Sequence, residues 1–144
     1  MDDRTPGERP HVFESIAVGD EGPPRSHTLT RTDLVMYAGA SGDFNPMHTD
    51  EVAARAAGLP SVFGHGMFTA GLLATAITDF VGIANLTAYR VRFTRQTWPG
   101  ETLTTRVTVA AVDPATHTVS LDCAVTNQEG ETKVAGEATA VVSR

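Results

Sequence analysis

The chain has 144 residues, of which 41% are hydrophobic and 19% are charged, and this composition suits one globular domain with a sizeable core. Its formal net charge of -6 argues against a general affinity for nucleic acid or for an anionic membrane surface, so small molecules are the expected partners. The single cysteine, Cys123, excludes a disulfide within the chain and fits a reducing compartment.

Residues 1–25 form a polar leader, which we expect to be partly flexible. It has neither the basic start nor the apolar core of a signal peptide. The apolar run that begins at Met67 is interrupted by threonines and by Asp79, and it is too short to span a bilayer. We therefore predict a cytoplasmic protein with a single domain over residues 26–144.

Hydrophobic spacing predicts a short strand at residues 27–29 and then a helix with Thr32 as its N-cap. A second short helix is predicted over residues 50–57 and ends at Gly58. Between the two helices, the sequence turns from a periodic pattern into an irregular one.

That irregular segment, residues 41–48, reads SGDFNPMH and cannot form a regular helix. Pro46 removes a backbone donor and biases Asn45 away from helical geometry. The loop places the carboxyl group of Asp43 five residues before the imidazole of His48, a combination that suits proton transfer. The alternative is a surface turn in which Asp43 and Asn45 cap backbone amides while His48 packs nearby.

A third helix, the central one, is predicted from the Gly66 turn to Val81. Glycine at a helix start lets a ligand approach the backbone, and the free amides there favour a negatively charged oxygen. An acid, an imidazole and an oxyanion site together suit proton movement beside a carbonyl group. The apolar positions cover most of the helix circumference, so we expect protein on all sides of it. These positions are Met67, Phe68, Leu72, Leu73, Ala76, Ile77, Phe80 and Val81.

Alternation of apolar and polar residues predicts four further strands, at residues 89–94, 103–109, 119–125 and 133–142. Cys123 lies on the apolar side of the third, and we interpret it as a core residue rather than a reactive nucleophile. One buried helix followed by antiparallel strands predicts an α+β fold in which a sheet wraps around a helix.

The loop and the helix start together match the motif of a known family. From about residue 28 onwards, the chain resembles the MaoC-like or (R)-specific enoyl-thioester hydratases, including mycobacterial-type (3R)-hydroxyacyl carrier-protein dehydratase subunits. His65-Gly66-Met67 follows the loop at the family's usual distance, and Met47 stands where leucine or isoleucine is commoner. The matching residues are Tyr37, Ser41, Gly42, Asp43, Asn45, Pro46, His48 and Asp50.

The resemblance implies a hot dog fold and reversible hydration of trans-2-enoyl thioesters to (R)-3-hydroxyacyl thioesters. Asp43 and His48 would bind one water, with the roles of acid and base open between them. The backbone amide of Gly66 would receive the thioester oxygen as negative charge develops on it. The residues with supporting roles would be Asn45, Ser41 and His65.

The resemblance also implies that coenzyme A or the phosphopantetheine of an acyl carrier protein enters only as part of the substrate. Arg90, Arg92 and Arg95 are candidates for binding its phosphates, although strand alternation alone explains these positions and we favour an ordinary solvated face. No histidine spacing indicates a metal site. Members of the family dimerise through edge strands, so we expect a homodimer or a heterodimer with a related subunit.

Two other functions stay open. A hot dog acyl thioesterase would place its acid on or beside the central helix, where this chain offers only Asp79. A non-catalytic thioester-binding subunit of a heterodimeric dehydratase would not need Asp43 and His48, whose presence counts against it.

Overall fold

The structure, a computed structural model, describes residues 12–143. A short 3₁₀ turn at Phe13–Ser15 precedes the first strand, and a second one, Pro46–His48, follows the first helix. The helices are α1 (Arg31–Ser41), α2 (Glu51–Ala56) and α3 (Gly66–Val81). The strands are β1 (Ser26–Thr28), β2 (Leu86–Phe93), β3 (Thr102–Asp113), β4 (Thr118–Thr126) and β5 (Thr132–Val141).

The five strands form one antiparallel sheet in the order β1-β3-β4-β5-β2. β3, β4 and β5 follow one another as a meander, while β2 lies at the edge beside β5. Residues 94–101 must therefore run from one edge of the sheet to β3 near the other edge. On the way they pass the start of β5, where the amide of Thr94 donates to the carbonyl of Lys133 over 3.0 Å.

Helix α3 packs against β2, β3, β4 and β5, and the core lies between helix and sheet. Leu73, Ile77 and Val81 follow the spacing of one helical face and are completely or almost completely buried. Val119, Leu121 and Val125 alternate along β4 and bury the same side of the sheet. This is the hot dog architecture that the resemblance implies, so the predicted α+β fold is confirmed.

Two details of the helices differ from the sequence-based predictions. The N-cap of α1 is Thr30, not Thr32, because Thr30 has Asp33 three residues later and forms a reciprocal capping box with it. Within the part of the chain that the structure describes, helix α3 is not enclosed on all sides, and the sheet covers one face of it. Met67 is 60% exposed, and Gly71 and Asp79 are exposed as well.

Part of the polar leader lies against the sheet. The Phe13 ring is buried and stacks on the His117 ring at a centroid distance of 4.8 Å. The amide of Gly22 donates to the carbonyl of Val107 over 2.9 Å. Residues 1–11 lie outside the described part of the chain, and the domain boundary at residue 25 stays a prediction. Within residues 12–143, no helix is both long and apolar enough to cross a membrane.

Candidate active site

The loop after α1 is shaped by its own side chains. α1 ends at Gly42, whose φ of 76° is left-handed and therefore favours glycine. The Ser41 hydroxyl accepts from the amide of Asp43, Asp43 Oδ1 accepts from the amide of Asn45, and Asn45 Oδ1 accepts from the amide of Met47. The capping proposed in the surface-turn interpretation is thus present, and it leaves Asp43 Oδ2 directed elsewhere.

Asp43 Oδ2 faces His48 Nε2 across 3.8 Å. The other ring nitrogen of His48 lies 2.7 Å from the carbonyl oxygen of Phe63, and a carbonyl only accepts, so Nδ1 is the protonated donor. In the neutral imidazole, Nε2 therefore presents a lone pair towards Asp43. The His48 side chain is 9% exposed and that of Asp43 is 53% exposed, so an anchored imidazole meets a solvated carboxylate.

His65 connects this loop to the start of α3. Its ring stacks on the His48 ring at a centroid distance of 3.8 Å and an interplanar angle of 27°. His65 Nε2 donates to the backbone carbonyl of Asp43 over 3.1 Å, which ties the loop to the helix. The Tyr37 ring packs edge-on against His65 at 4.9 Å. His65 therefore contacts both members of the pair, and its supporting role in the reaction stays a prediction.

A cavity of about 490 Å³ lies between the loop, the start of α3 and the segment after β2. α3 begins at Gly66, and no described side chain caps this end. The first amides of the helix therefore lack side-chain acceptors and favour a negatively charged oxygen. A Cβ at Gly66 would lie 2.9 Å from the Phe93 ring, so the backbone is approached closely there. The residues around the opening include Asp43, His65, Gly66, Met67, Phe93 and Arg95.

The three candidate arginines are not equivalent. Arg95 lines the cavity and pairs with Glu131 at 3.3 Å. Arg90 pairs with Glu137 and borders a separate pocket of about 500 Å³ on the sheet. Arg92 is exposed on β2. Of these three, the structure brings Arg95 to the cavity.

Asp43, His48 and His65 offer possible metal-ligand atoms within 4.8 Å of one another. The two rings are nearly parallel and stacked. Ring lone pairs lie in the ring plane, so two stacked imidazoles cannot both direct them at one ion without reorientation. The geometry suits proton transfer better than metal binding.

One buried polar group near the cavity is absent from the sequence-based predictions. Lys133 is 2% exposed, and its ammonium group lies 2.9 Å from Glu101 Oε2 and 2.6 Å from Glu131 Oε1. Alternation places Lys133 on the face opposite to Val134, where a lysine is ordinarily solvated. Its burial depends on the segment before β3, which only the tertiary structure places there.

The chain is similar to known proteins in sequence and in fold. A family model described as a MaoC like domain matches residues 17–132. The chain is 36% identical over 133 residues to 3-hydroxyacyl-thioester dehydratase Y of Mycobacterium tuberculosis, with 81% of this chain and 45% of that protein covered. The chain thus spans about half the length of this relative.

Two further relatives are of similar size to this chain. The (R)-specific enoyl-CoA hydratase of Rhodospirillum rubrum is 29% identical over 134 residues, which cover 92% of each protein. The structure of the unliganded R-hydratase PhaJ1 from Pseudomonas aeruginosa superposes with a TM-score of 0.85 at 27% identity, covering 92% of this chain and 86% of that one.

Proposed function

Because the chain belongs to the MaoC-like domain family, we propose that it catalyses the reversible hydration of trans-2-enoyl thioesters to (R)-3-hydroxyacyl thioesters. The observation that supports this most is the pair of acceptors, Asp43 Oδ2 and His48 Nε2, held 3.8 Å apart beside the start of α3. Relatives named as hydratases and dehydratases support the same reaction class.

The two acceptors suit one water molecule. A water oxygen about 2.8 Å from each atom fits between partners at this separation and donates one hydrogen to each. As the water oxygen bonds to the β carbon, either Asp43 or His48 takes a proton from the water. The same side chain passes that proton to the α carbon. Asp43 and His48 then return to their starting protonation states. We propose Asp43 for the proton that reaches the α carbon and His48 for holding the water, with these roles exchangeable.

The amide of Gly66 is proposed to stabilise the enolate-like oxygen of the thioester. The α3 dipole adds to this effect because its positive end lies at Gly66. Removing one such donor typically costs about 3 to 4 kcal/mol of barrier, so the site requires the helix start as well as the acid and the imidazole.

We propose that no separate cofactor takes part and that the protein acts in the cytoplasm. Coenzyme A or phosphopantetheine enters as part of the thioester, and Arg95 is the candidate for its phosphates because it lines the cavity. Both acyl-coenzyme A and acyl carrier protein are candidate carriers. We also propose a dimer through β2, either with a second copy or with a related subunit, because this edge strand is eight residues long and no other described strand pairs with its outer side.

Loss of the enoyl absorbance of crotonyl-coenzyme A tests the reaction. We expect rapid loss with the wild type and a fall in kcat of roughly 100- to 10,000-fold in Asp43→Asn and His48→Gln. The matched control is Asp79→Asn, an acid on α3 that pairs with Arg25 away from the cavity. Wild-type turnover in both site variants would contradict the assignment of the pair.

The same experiment separates the competing functions. A thioesterase would release the thiol of coenzyme A, which a thiol reagent detects, whereas hydration releases none. Thiol release that is lost in Asp79→Asn would support the thioesterase. A folded wild type that changes neither crotonyl-coenzyme A nor crotonyl carrier protein, with or without a related subunit, would support a non-catalytic protein.

A further inference from the structure

The orientation of His48 depends on a peptide group outside the loop. His48 Nδ1 donates to the carbonyl oxygen of Phe63 over 2.7 Å. The amide hydrogen of the same peptide group belongs to Gly64, and it donates to the carbonyl of Thr97 over 2.8 Å. Since a peptide group is planar, both hydrogen bonds move together.

The second peptide group continues the chain of hydrogen bonds. The carbonyl of Thr97 and the amide of Trp98 belong to one peptide group, and this amide donates to Glu101 Oε1 over 2.7 Å. Three hydrogen bonds of 2.7, 2.8 and 2.7 Å therefore connect the imidazole of His48 to the carboxylate of Glu101. Every donor in the series points towards the carboxylate.

The carboxylate at the end of the series is fixed and removed from water. Glu101 is 9% exposed, and its Oε2 accepts from Asn127 Nδ2 over 2.7 Å and from the ammonium group of Lys133 over 2.9 Å. Lys133 also donates to the carbonyl of Gln96 over 2.9 Å, so the segment that contains Thr97 is held on both sides. In such a low-dielectric setting, hydrogen bonds in series polarise one another.

We propose that Glu101 is a positioning residue for His48, which acts through these two peptide groups to keep Nδ1 protonated and Nε2 directed at Asp43. The inference rests on the proposed function in one respect, namely that His48 acts in catalysis. The negative charge of Glu101 strengthens the Phe63 carbonyl as an acceptor. This favours the one tautomer of His48 whose free lone pair can bind a water.

Gly64 provides independent support for a close contact between the two segments. A Cβ on this residue would overlap the Thr97 hydroxyl oxygen. The Thr97 hydroxyl is buried without a hydrogen-bond partner among the described residues, so a hydrogen bond of this hydroxyl does not explain the close contact between Gly64 and Thr97. Because Gly64 has no side chain, its backbone can come close enough to Thr97 to form the hydrogen bond between their peptide groups.

The first test is Glu101→Gln. A glutamine in this place must direct its NH₂ group either at the Trp98 amide or at the donors of Asn127 and Lys133, so at least one hydrogen bond is lost. We expect kcat to fall on the order of 10- to 100-fold while KM changes less than about threefold. Nitrogen-15 NMR of His48 should change from one tautomer to a mixture.

The matched control is Glu131→Gln. Glu131 also pairs with Lys133, at 2.6 Å, and with Arg95, at 3.3 Å, but among the described residues its side chain makes no hydrogen bond to residues 96–98. Because Arg95 is the candidate for the substrate phosphates, KM can change in this variant, and the comparison rests on kcat and on the tautomer of His48. This variant should keep the wild-type kcat and the wild-type tautomer of His48. If the network only shapes the cavity wall, Glu101→Gln would instead raise KM and leave the tautomer of His48 unchanged.

The second test is Gly64→Ala, alone and with Thr97→Ala. The single variant should separate the two peptide groups and reproduce the loss in Glu101→Gln. Thr97→Ala removes the atom that the new methyl group would strike, while the carbonyl of residue 97 remains. The double variant should therefore recover most of the kcat and the single tautomer. If Glu101→Gln does not fold, the comparison of Gly64→Ala with the double variant tests the positioning of His48.

Folded variants of Glu101 and Gly64 with wild-type kcat and one His48 tautomer would overturn the inference. The NMR measurement does not require turnover. A wild type without hydratase activity whose tautomer still shifts in Glu101→Gln would therefore refute the proposed function and support the positioning of His48 by Glu101.

Discussion

At the scale of single residues, Asp43 and His48 differ in how they are held. His48 is buried, stacked on His65 and bound to the Phe63 carbonyl, so its ring has a defined orientation. Asp43 is exposed and uses one carboxylate oxygen to shape its own loop. A rigid imidazole beside a hydrated acid can bind a water that exchanges with solvent. This difference supports His48 as the residue that holds the water and Asp43 as the residue that delivers the proton to the α carbon.

Gly66→Ala tests the close approach to the start of α3. The new methyl group would lie 2.9 Å from the Phe93 ring and would narrow the cavity. We expect kcat/KM for crotonyl-coenzyme A to fall by about tenfold or more, because small displacements at a reacting centre are costly.

Gly71→Ala is the control for that variant. Gly71 lies on the same helix, and a Cβ added to it would meet nothing within 4 Å, so alanine should raise stability by about 0.5 to 1 kcal/mol without changing turnover. Partial recovery of activity in Gly66→Ala with Phe93→Ala would identify the ring contact as the cause. Unchanged kcat/KM in Gly66→Ala would contradict the proposed approach of the thioester.

Cys123 gives a prediction on pH. Burial, with smaller contributions from the charges of Asp122 and Glu137, raises the pKa of its thiol to about 11 from an ordinary value of 9.0. The thiol should therefore react slowly with iodoacetamide at pH 9 in the folded protein and rapidly in concentrated urea. Mass spectrometry measures the labelling, with Cys123→Ala as background. Equal rates in both states would show that the thiol is not protected.

The same shift has a consequence for stability. Because the folded pKa is higher, the contribution of the protonated thiol is fully present below about pH 9. It is lost as the pH rises towards 11, since the unfolded chain releases its proton first.

At the scale of elements, the loop with the motif is positioned by the helices on both sides of it. α1 ends in a left-handed Gly42, α2 begins at the Asp50 cap, and α3 begins directly after His65. Asp50 Oδ1 accepts from the amides of Val52 and Ala53, which fixes the exit of the loop. The motif therefore specifies three helix ends as well as two reactive groups.

Thr30→Ala tests the start of α1. It removes the side-chain half of the capping box with Asp33, so we expect a loss of about 1 kcal/mol in the free energy of unfolding. Thr32→Ala is the control, since Thr32 is exposed in the first turn and should change stability by less than about 0.5 kcal/mol. Urea unfolding at neutral pH measures both. A larger loss in Thr32→Ala would mean that the cap is misassigned.

Asp33 also adds a pH dependence to this helix end. Burial opposes ionisation, but hydrogen bonds from His27 and from the Thr30 amide outweigh it and lower the pKa of the carboxyl group. Its contribution to stability is therefore present above its ordinary value of 3.8 and is lost as the pH falls through the lower folded value.

At the scale of the whole molecule, the site lies close to an edge of the sheet. Phe93 ends the edge strand β2, is 50% exposed and borders the cavity. Phe44, beside Asp43, is 69% exposed, and Met67 at the start of α3 is 60% exposed. Exposed apolar side chains around a cavity next to an open edge indicate an interaction surface.

We expect light scattering to give a particle twice the mass of the 15.2 kDa chain at micromolar concentration. Pairing through β2 would hydrogen-bond its open side and cover apolar side chains near the cavity. A monomer at every concentration would contradict the homodimer, and a stable complex that forms only with a related subunit would support the heterodimer.

The sequence alone was sufficient for the fold class, and it predicted the candidate pair, Asp43 and His48, whose side chains the structure brings together. Periods of 2 and 3.6 depend on which face of each element is buried, so they identified five strands and the central helix. The loop motif is local, and Pro46 and Gly42 restrict its conformation within a few residues. The N-cap of α1 was misplaced by two residues because Thr30 and Thr32 are both acceptable caps, and only the contact with Asp33 distinguishes them.

The tertiary structure decided everything that depends on residues far apart in the chain. It separated Arg95 from Arg90 and Arg92, left one face of α3 uncovered, and buried Lys133 beneath the segment that leads to β3. It also connected His48 to Glu101, 53 positions later, through backbone groups whose partners no side-chain pattern encodes. The loop motif depends on residues that are neighbours in the chain, whereas the hydrogen bond between Gly64 and Thr97 forms only when the fold brings two distant segments together.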